Sequence, residues 1–289
     1  MSADPSAASE AAASAPRCGE GGARDDTVAI SCQHVTKRFG SQTVLDDLSL
    51  DVRHGERLVM LGGSGAGKST LLDLMAAQSE ATQGVIRVHG RDICSMSEAQ
   101  RAEYRKSTGM LFQNGALFQS MTLGQNVALP LQQHTDLDRD TIETIVKVKL
   151  ELVGLRPHAD KLPSEISGGM RKRAGLARAI ALDPTIIFYD EPSAGLDPVS
   201  VTEVDELMIG LNETLNVTTI IITHEMTSAF RVAQRMVLLD QGRFVADGSP
   251  DELRESDNPL VHQFLNGETH GPLTQRRDDD GYKKDLLRG

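Results

Sequence analysis

The sequence predicts an α/β domain with a largely parallel central sheet. Three observations carry this reading. From residue 57 onward, apolar runs of strand length alternate with stretches whose apolar residues recur at helical spacing. The run 57–61 passes straight into a glycine-rich turn that opens a helix. The run 185–189 ends in two acids, Asp190 and Glu191, where a buried parallel strand would leave the sheet.

Taken in order, residues 1–26 are mainly Ala, Ser, Gly and acids, too poor in bulky apolar groups to offset ordering entropy. They are expected to form a disordered tail. Order is expected from Thr27, where Val28, Ile30 and Cys32 alternate with polar residues. Residues 44–52 read as a second strand, 57–61 as a third, and 68–77 as a helix through Leu71, Leu72 and Met75. Residues 85–88 read as a strand. From about 92 to 165 the pattern turns mostly helical, with Ile142, Val146 and Val153 near one face of a helix opening at Asp140. This segment is expected to be an inserted helical subdomain. Helices at 171–181, 199–215 and 226–233 alternate with strands at 185–189 and 218–223. Two strands, 236–239 and 243–246, close around Asp240-Gln241-Gly242. The domain is expected to run over 27–267, with 268–289 an extended tail; from Asn266 the chain carries five acids, five bases and few apolar groups.

Composition narrows the function. With 289 residues, 39% hydrophobic and 25% charged, the chain suits one large soluble domain with an insertion. No apolar run approaches the roughly 18 residues of a membrane span, and no secretory signal is read at the start. A net charge of −11 argues against a broad nucleic-acid face, and the absence of Trp against stacking on single strands. Cys18, Cys32 and Cys94 are far apart and form no CxxC, so neither a disulfide framework nor a zinc site is suggested.

Gly62-Gly63-Ser64-Gly65-Ala66-Gly67-Lys68-Ser69 matches G-x-x-x-x-G-K-[ST] between a strand and a helix. Such a turn aims successive N–H groups at phosphate oxygens, and the helix N-terminus adds partial positive charge. Lys68 is expected to reach the β- and γ-phosphates, Ser69 to ligate Mg²⁺, and Thr70 to follow in the ATP-binding turn. Asp190 is placed to hold the metal shell and Glu191 to polarise an attacking water. His224-Glu225 begins like H-E-x-x-H, but Ser228 stands at the second His position, so the zinc reading fails.

Ile166-Ser167-Gly168-Gly169-Met170, before a basic helix and about 20 residues ahead of the acidic strand, resembles the LSGGQ signature of ATP-binding cassette (ABC) ATPases. Gln113 resembles that family's Q-loop glutamine, Ser193-Ala194-Gly195-Leu196-Asp197 its D-loop, and His224 its switch histidine. Phe39 stands where the family often stacks an aromatic on adenine. The resemblance spans roughly residues 27–267. It implies a P-loop ABC ATPase fold with an antiparallel β-subdomain, and Gln113 beside Ser69 and Asp190 as metal ligands. It also implies a head-to-tail dimer in which each ATP lies between one subunit's phosphate loop and the other's Ser167, Gly168, Gly169 and Met170. Arg171, Lys172 and Arg173 read equally well as a solvated helix face. Phe118, Met121 and Leu123 read as core or as the region near the groove that receives a permease helix.

Within the family, Met170 departs from the common Gln. Ser-Gly-Gly-Met, the run 190–200 and the tail with Gly271-Pro272, Gly281-Tyr282 and Asp285-Leu286-Leu287 resemble ATPases of Mce-type lipid transporters. That branch implies phospholipid transport between the membranes of a Gram-negative bacterium, at the cytoplasmic face of the inner membrane. The partners it implies are an integral-membrane permease, a periplasmic MCE-domain protein and a small STAS-domain protein. Tyr282 and Leu286 are expected to anchor the tail on the second ATPase subunit. An importer of a small polar solute, such as an amino acid, is the alternative; a ribosome- or DNA-acting ABC ATPase fits less well, because the chain has one cassette and is acidic.

Overall fold

The computed structural model describes residues 27–273; the expectations for residues 1–26 and for Tyr282 and Leu286 lie outside them. The chain opens with a hairpin of β1 (Val28–Phe39) and β2 (Gln42–Arg53), then β3 (Arg57–Gly62) and α1 (Lys68–Met75). β4 (Gln83–Val88) and β5 (Arg91–Asp92) complete an antiparallel sheet of order β2-β1-β4-β5. Next come α2 (Glu98–Lys106), β6 (Thr108–Leu111), α3 (Leu123–His134), α4 (Arg139–Leu152) and α5 (Gly168–Ala179). The chain continues through β7 (Ile186–Asp190), α6 (Pro198–Leu215), β8 (Thr218–Ile222) and α7 (Met226–Val232). It closes with β9 (Arg235–Asp240), β10 (Arg243–Gly248), α8 (Pro250–Arg254) and α9 (Pro259–Asn266). The second sheet has the order β10-β9-β3-β8-β7-β6, parallel throughout except for β10.

The parallel strands are apolar at nearly every position because both faces of their sheet are covered. Alternate residues enter different cores. Val59, Leu61, Ile187, Tyr189, Ile221, Met236 and Leu238 join one cluster with α3–α7. Leu58, Met60, Ile186, Phe188, Ile220, Ile222, Val237 and Leu239 join the other, with α1 and the antiparallel sheet. The β9–β10 turn puts Gln241 and Gly242 at φ of 46° and 74°, the left-handed pair that a two-residue hairpin favours.

The structure revises three expectations. The stretch 92–165 is mostly helical as expected but is not one inserted helical unit, since β6 lies inside it and pairs with β7 as the edge of the parallel sheet. Four residues, one of them Gly109, are too few to show a period of two. The helical excursion lies between β6 and β7 and takes in α5. The helix expected to open at Asp140 opens at Arg139, because Asp138 caps it by accepting from the Thr141 amide at 3.0 Å. Finally, the tail does not leave the domain at 267. The buried amide of Gln263 accepts from the Leu273 N–H at 2.7 Å and donates to the Glu268 carbonyl at 3.1 Å. Leu273 packs against the larger core.

Candidate functional site

Strand order gathers the site. β3, β8, β7 and β6 are parallel neighbours, so their carboxyl ends lie side by side on one edge of the sheet. The phosphate loop follows β3, His224 follows β8, Asp190 and Glu191 end β7, and Gln113 follows β6. Residues from 62 to 224 in sequence thus share one ligand-facing edge, where open α/β sheets bind their ligands.

The loop's shape is enforced from behind. Gly67, which begins α1, has φ of 106°, and a Cβ there would sit 2.6 Å from Leu45 Cδ2 and 3.0 Å from the Val44 carbonyl. A Cβ on Gly62 would meet the Leu239 carbonyl at 2.3 Å. Ala66 is buried, whereas Ser64, Gly65 and Ser69 are exposed on the loop's outer side, with Gly63 and Thr70 partly so. Lys68 Nζ donates to the Gly62 and Gly63 carbonyls at 2.8 and 3.0 Å, which folds the ammonium over the loop. Burial lowers its pKa, and Glu191 and Asp190 oppose that.

At the end of β7, Glu191 has φ of 50° and its side chain is 16% exposed. Its carboxylate lies 2.8 Å from His224 Nδ1 and accepts from the His224 N–H at 3.4 Å. Asp190 is pushed above the usual carboxylate range, first by burial and then by Glu191 and Asp73; Lys68 and Lys172 oppose the shift. A dication would relieve that crowding of carboxylates. Ser69, Asp190 and Gln113 offer the hard oxygen donors Mg²⁺ takes when it is shared with phosphates. Among the described residues, no group of three or more His, Cys, Asp or Glu forms a protein-only metal cage. Phe39 is 55% exposed at the end of β1, with Lys37 Nζ 4.8 Å from its ring centre, so it is not a core aromatic.

The signature turn opens α5 rather than following a strand of the sheet. Ser167 caps α5 by accepting from the Met170 N–H at 3.2 Å, and Met170 packs on the larger core. A Cβ on Gly168 would lie 3.3 Å from Leu196, and one on Gly169 would lie 3.1 Å from Ser200 Oγ. The signature glycines therefore let the D-loop approach closely. Asp197 caps α6, accepting from the Val199 and Ser200 amides at 3.1 Å each and from Ser200 Oγ at 2.6 Å. These contacts hold its carboxyl below the usual range.

Sequence reasoning missed two buried groups. Asp205 on α6 has no exposed surface; it accepts from Ser228 Oγ at 2.5 Å, from Arg231 Nη1 at 2.7 Å and, more weakly, from Ser193 Oγ at 3.4 Å. It ties the D-loop segment to the helix after His224. In the sequence it lies beside the buried stripe of Val204, Met208 and Leu211, a position that helical spacing does not assign to core or flank. The second group is Lys172. The basic run reads as a solvated face, yet Lys172 is only 5% exposed.

A phosphate loop on the central strand, with paired acids two strands away, defines a P-loop nucleotide hydrolase. The family model described as ABC transporter matches residues 45–194, and the chain belongs to that family. It is an ATP hydrolase of the ABC type. The chain is 42% identical to the intermembrane phospholipid transport system ATP-binding protein MlaF of Haemophilus influenzae, over 89% of this chain and 98% of the relative. The Escherichia coli MlaF is 41% identical, over 90% and 97%. A probable ribonucleotide transport ATP-binding protein of Mycobacterium leprae is 44% identical, over 88% of this chain and 73% of its own length. Among solved structures, the dimeric post-hydrolysis cassette MJ0796 bound to ADP and Pi aligns with a TM-score of 0.70 at 26% identity, covering 76% of this chain and 98% of that one. The cbiO1 cassette of Clostridium perfringens aligns at 0.75 and 26% identity, covering 83% and 95%.

Proposed function

We propose that this chain is the ATPase subunit that powers phospholipid transport between the inner and outer membranes of a Gram-negative bacterium. The observation that carries the reading is end-to-end likeness to two MlaF proteins, each matched over 97% or more of its length. The mycobacterial relative of similar identity is matched over 73%.

In the proposed mechanism, the amides of residues 62–67 and Lys68 hold the β- and γ-phosphates, and Phe39 stacks on the adenine. Ser69, Asp190 and Gln113 would hold Mg²⁺, which would supply charge neutralisation to the phosphates when bound. Glu191 orients the attacking water. His224 fixes the Glu191 carboxylate and faces the γ-phosphate, and Lys68 balances the negative charge that develops on transfer. Asp197 and the signature residues Ser167, Gly168, Gly169 and Met170 of a second copy close the site. ATP thereby clamps two copies together and hydrolysis releases them.

No helix among the described residues is long and apolar enough to cross a membrane. The proposed role puts the chain peripherally at the cytoplasmic face of the inner membrane, bound to an integral-membrane permease, a position that rests on the likeness to MlaF. An MCE-domain lipid-binding subunit and a STAS-domain subunit complete the assembly.

The test is mild-detergent affinity purification of the Glu191→Gln protein with ATP, followed by mass spectrometry of proteins and lipids. A permease, an MCE-domain protein and phospholipid are expected. A permease with a periplasmic solute-binding protein and bound amino acid or ribonucleotide would overturn the lipid assignment while leaving the ATPase reading in place.

A further inference from the structure

Three consecutive basic residues on α5 have three different fates. Arg171 Nη1 donates to the Ile166 carbonyl at 3.1 Å, next to its own helix cap. Arg173 Nη1 donates to the Val153 carbonyl at 3.4 Å, and its Nη2 lies 3.9 Å from Glu203. Lys172 turns inward beneath the strand ends. Its Nζ donates to the Gln113 carbonyl and, at 3.0 Å, to the Glu191 carbonyl.

Those two carbonyls belong to the loops after β6 and β7. Glu191 needs the help, because φ of 50° is a left-handed conformation that is unfavourable for a residue with a Cβ. Its peptide is gripped at both ends: the Glu191 N–H donates to the Ile222 carbonyl at 2.9 Å, and its carbonyl accepts from Lys172. Burying an ammonium is costly unless its donors are satisfied. Burial lowers the Lys172 pKa, while the Glu191 and Asp190 charges raise it. A lysine present only to neutralise those acids would direct its hydrogen bonds to their carboxylates. Here the bonds go to backbone carbonyls, and a backbone contact fixes where a loop sits.

We propose that Lys172 is a positioning residue of the ATPase: from the signature helix, its ammonium holds the backbones of Gln113 and Glu191 together, so that the glutamine loop and the water-orienting carboxylate move as one unit with α5. This rests on the ATPase reading of the site. It also means that displacement of α5, which carries the signature turn at its start, is transmitted to Glu191 within the same chain.

The experiment compares Lys172→Met, Lys172→Arg and Lys172→Gln in the full chain, by steady-state ATP hydrolysis and by amide hydrogen exchange without nucleotide. Lys172→Met should lower kcat at least about 10-fold while KM for ATP stays within about 3-fold. It should also speed exchange in both 112–116 and 190–194, with α1 unchanged. Lys172→Arg, which keeps charge and donors, should recover most of kcat. If Lys172→Met does not fold, Lys172→Gln keeps two N–H donors without the charge and should show the same split in milder form. A kcat within about 2-fold of wild type, faster exchange in only one segment, or parallel loss of kcat and KM would each overturn the proposal. Exchange in the nucleotide-free protein tests the tether even if wild type proves inactive toward ATP, and that inactivity would instead defeat the ATPase reading.

Discussion

The phosphate loop before α1 and the signature turn before α5 are both glycine-bearing turns that feed a helix N-terminus, yet they rest on different supports. The phosphate loop leans on the core, since Gly62 backs onto the Leu239 carbonyl and Gly67 onto Leu45 and Val44. Leu45 and Leu239 belong to strands that pack into the core, and Val44 is partly buried against it. The signature turn leans on another functional segment, with Gly168 against Leu196 and Gly169 against Ser200 of the D-loop and α6. One half of the site is a fixed cradle. The other is a surface whose position depends on a neighbouring loop, as the proposed mechanism asks of a half that approaches and leaves a second copy's nucleotide.

Substitutions test that contrast. Gly67→Ala should have the largest effect, because its methyl meets backbone and core at φ of 106°. ATP affinity, measured by titration calorimetry, should fall about 100-fold as the cradle opens. Asp205→Ala strips the D-loop support of its buried carboxylate, leaving Arg231, Ser193 and Ser228 without that partner. Chemical denaturation should register a loss of about 3 kcal/mol, with ATP binding by the remaining folded protein little changed. Gly169→Ala presses on Ser200 Oγ at 3.1 Å, a contact a side chain can partly relieve. ATP affinity should stay within about 2-fold while kcat falls about 10-fold. Should Gly67→Ala and Gly169→Ala instead weaken ATP binding equally, the two turns would not be differently supported.

The smallest expected effect lies in the sheet beneath both halves. The Tyr189 hydroxyl is fully buried and has no hydrogen-bond partner among the described residues. Tyr189→Phe removes that uncompensated group and should raise stability by about 1 kcal/mol without altering turnover.

The parallel strands were legible in the sequence because burial on both faces makes them apolar without interruption, as in the run from Ile186 to Tyr189. The phosphate loop, the acids and His224 were legible because each follows such a strand. β6 was hidden because an edge strand of four residues with a central glycine has no periodicity to read. Lys172 was hidden for another reason: its neighbours Arg171 and Arg173 make the run look solvated, and only the fold shows which of the three turns inward. Asp205 sits one position from an apolar stripe, where helical spacing alone does not separate a flank from a core.

In the proposed mechanism, ATP is held between the strand-end site of one copy and the signature turn of another. Light scattering on the Glu191→Gln protein, with and without Mg²⁺ and ATP, tests it most directly. The expected result is one chain's mass without nucleotide and twice the 31.2 kDa of a single chain with ATP, the shift being lost when Gly169→Ala is added. A Glu191→Gln protein that binds ATP yet keeps the mass of a single chain would contradict it.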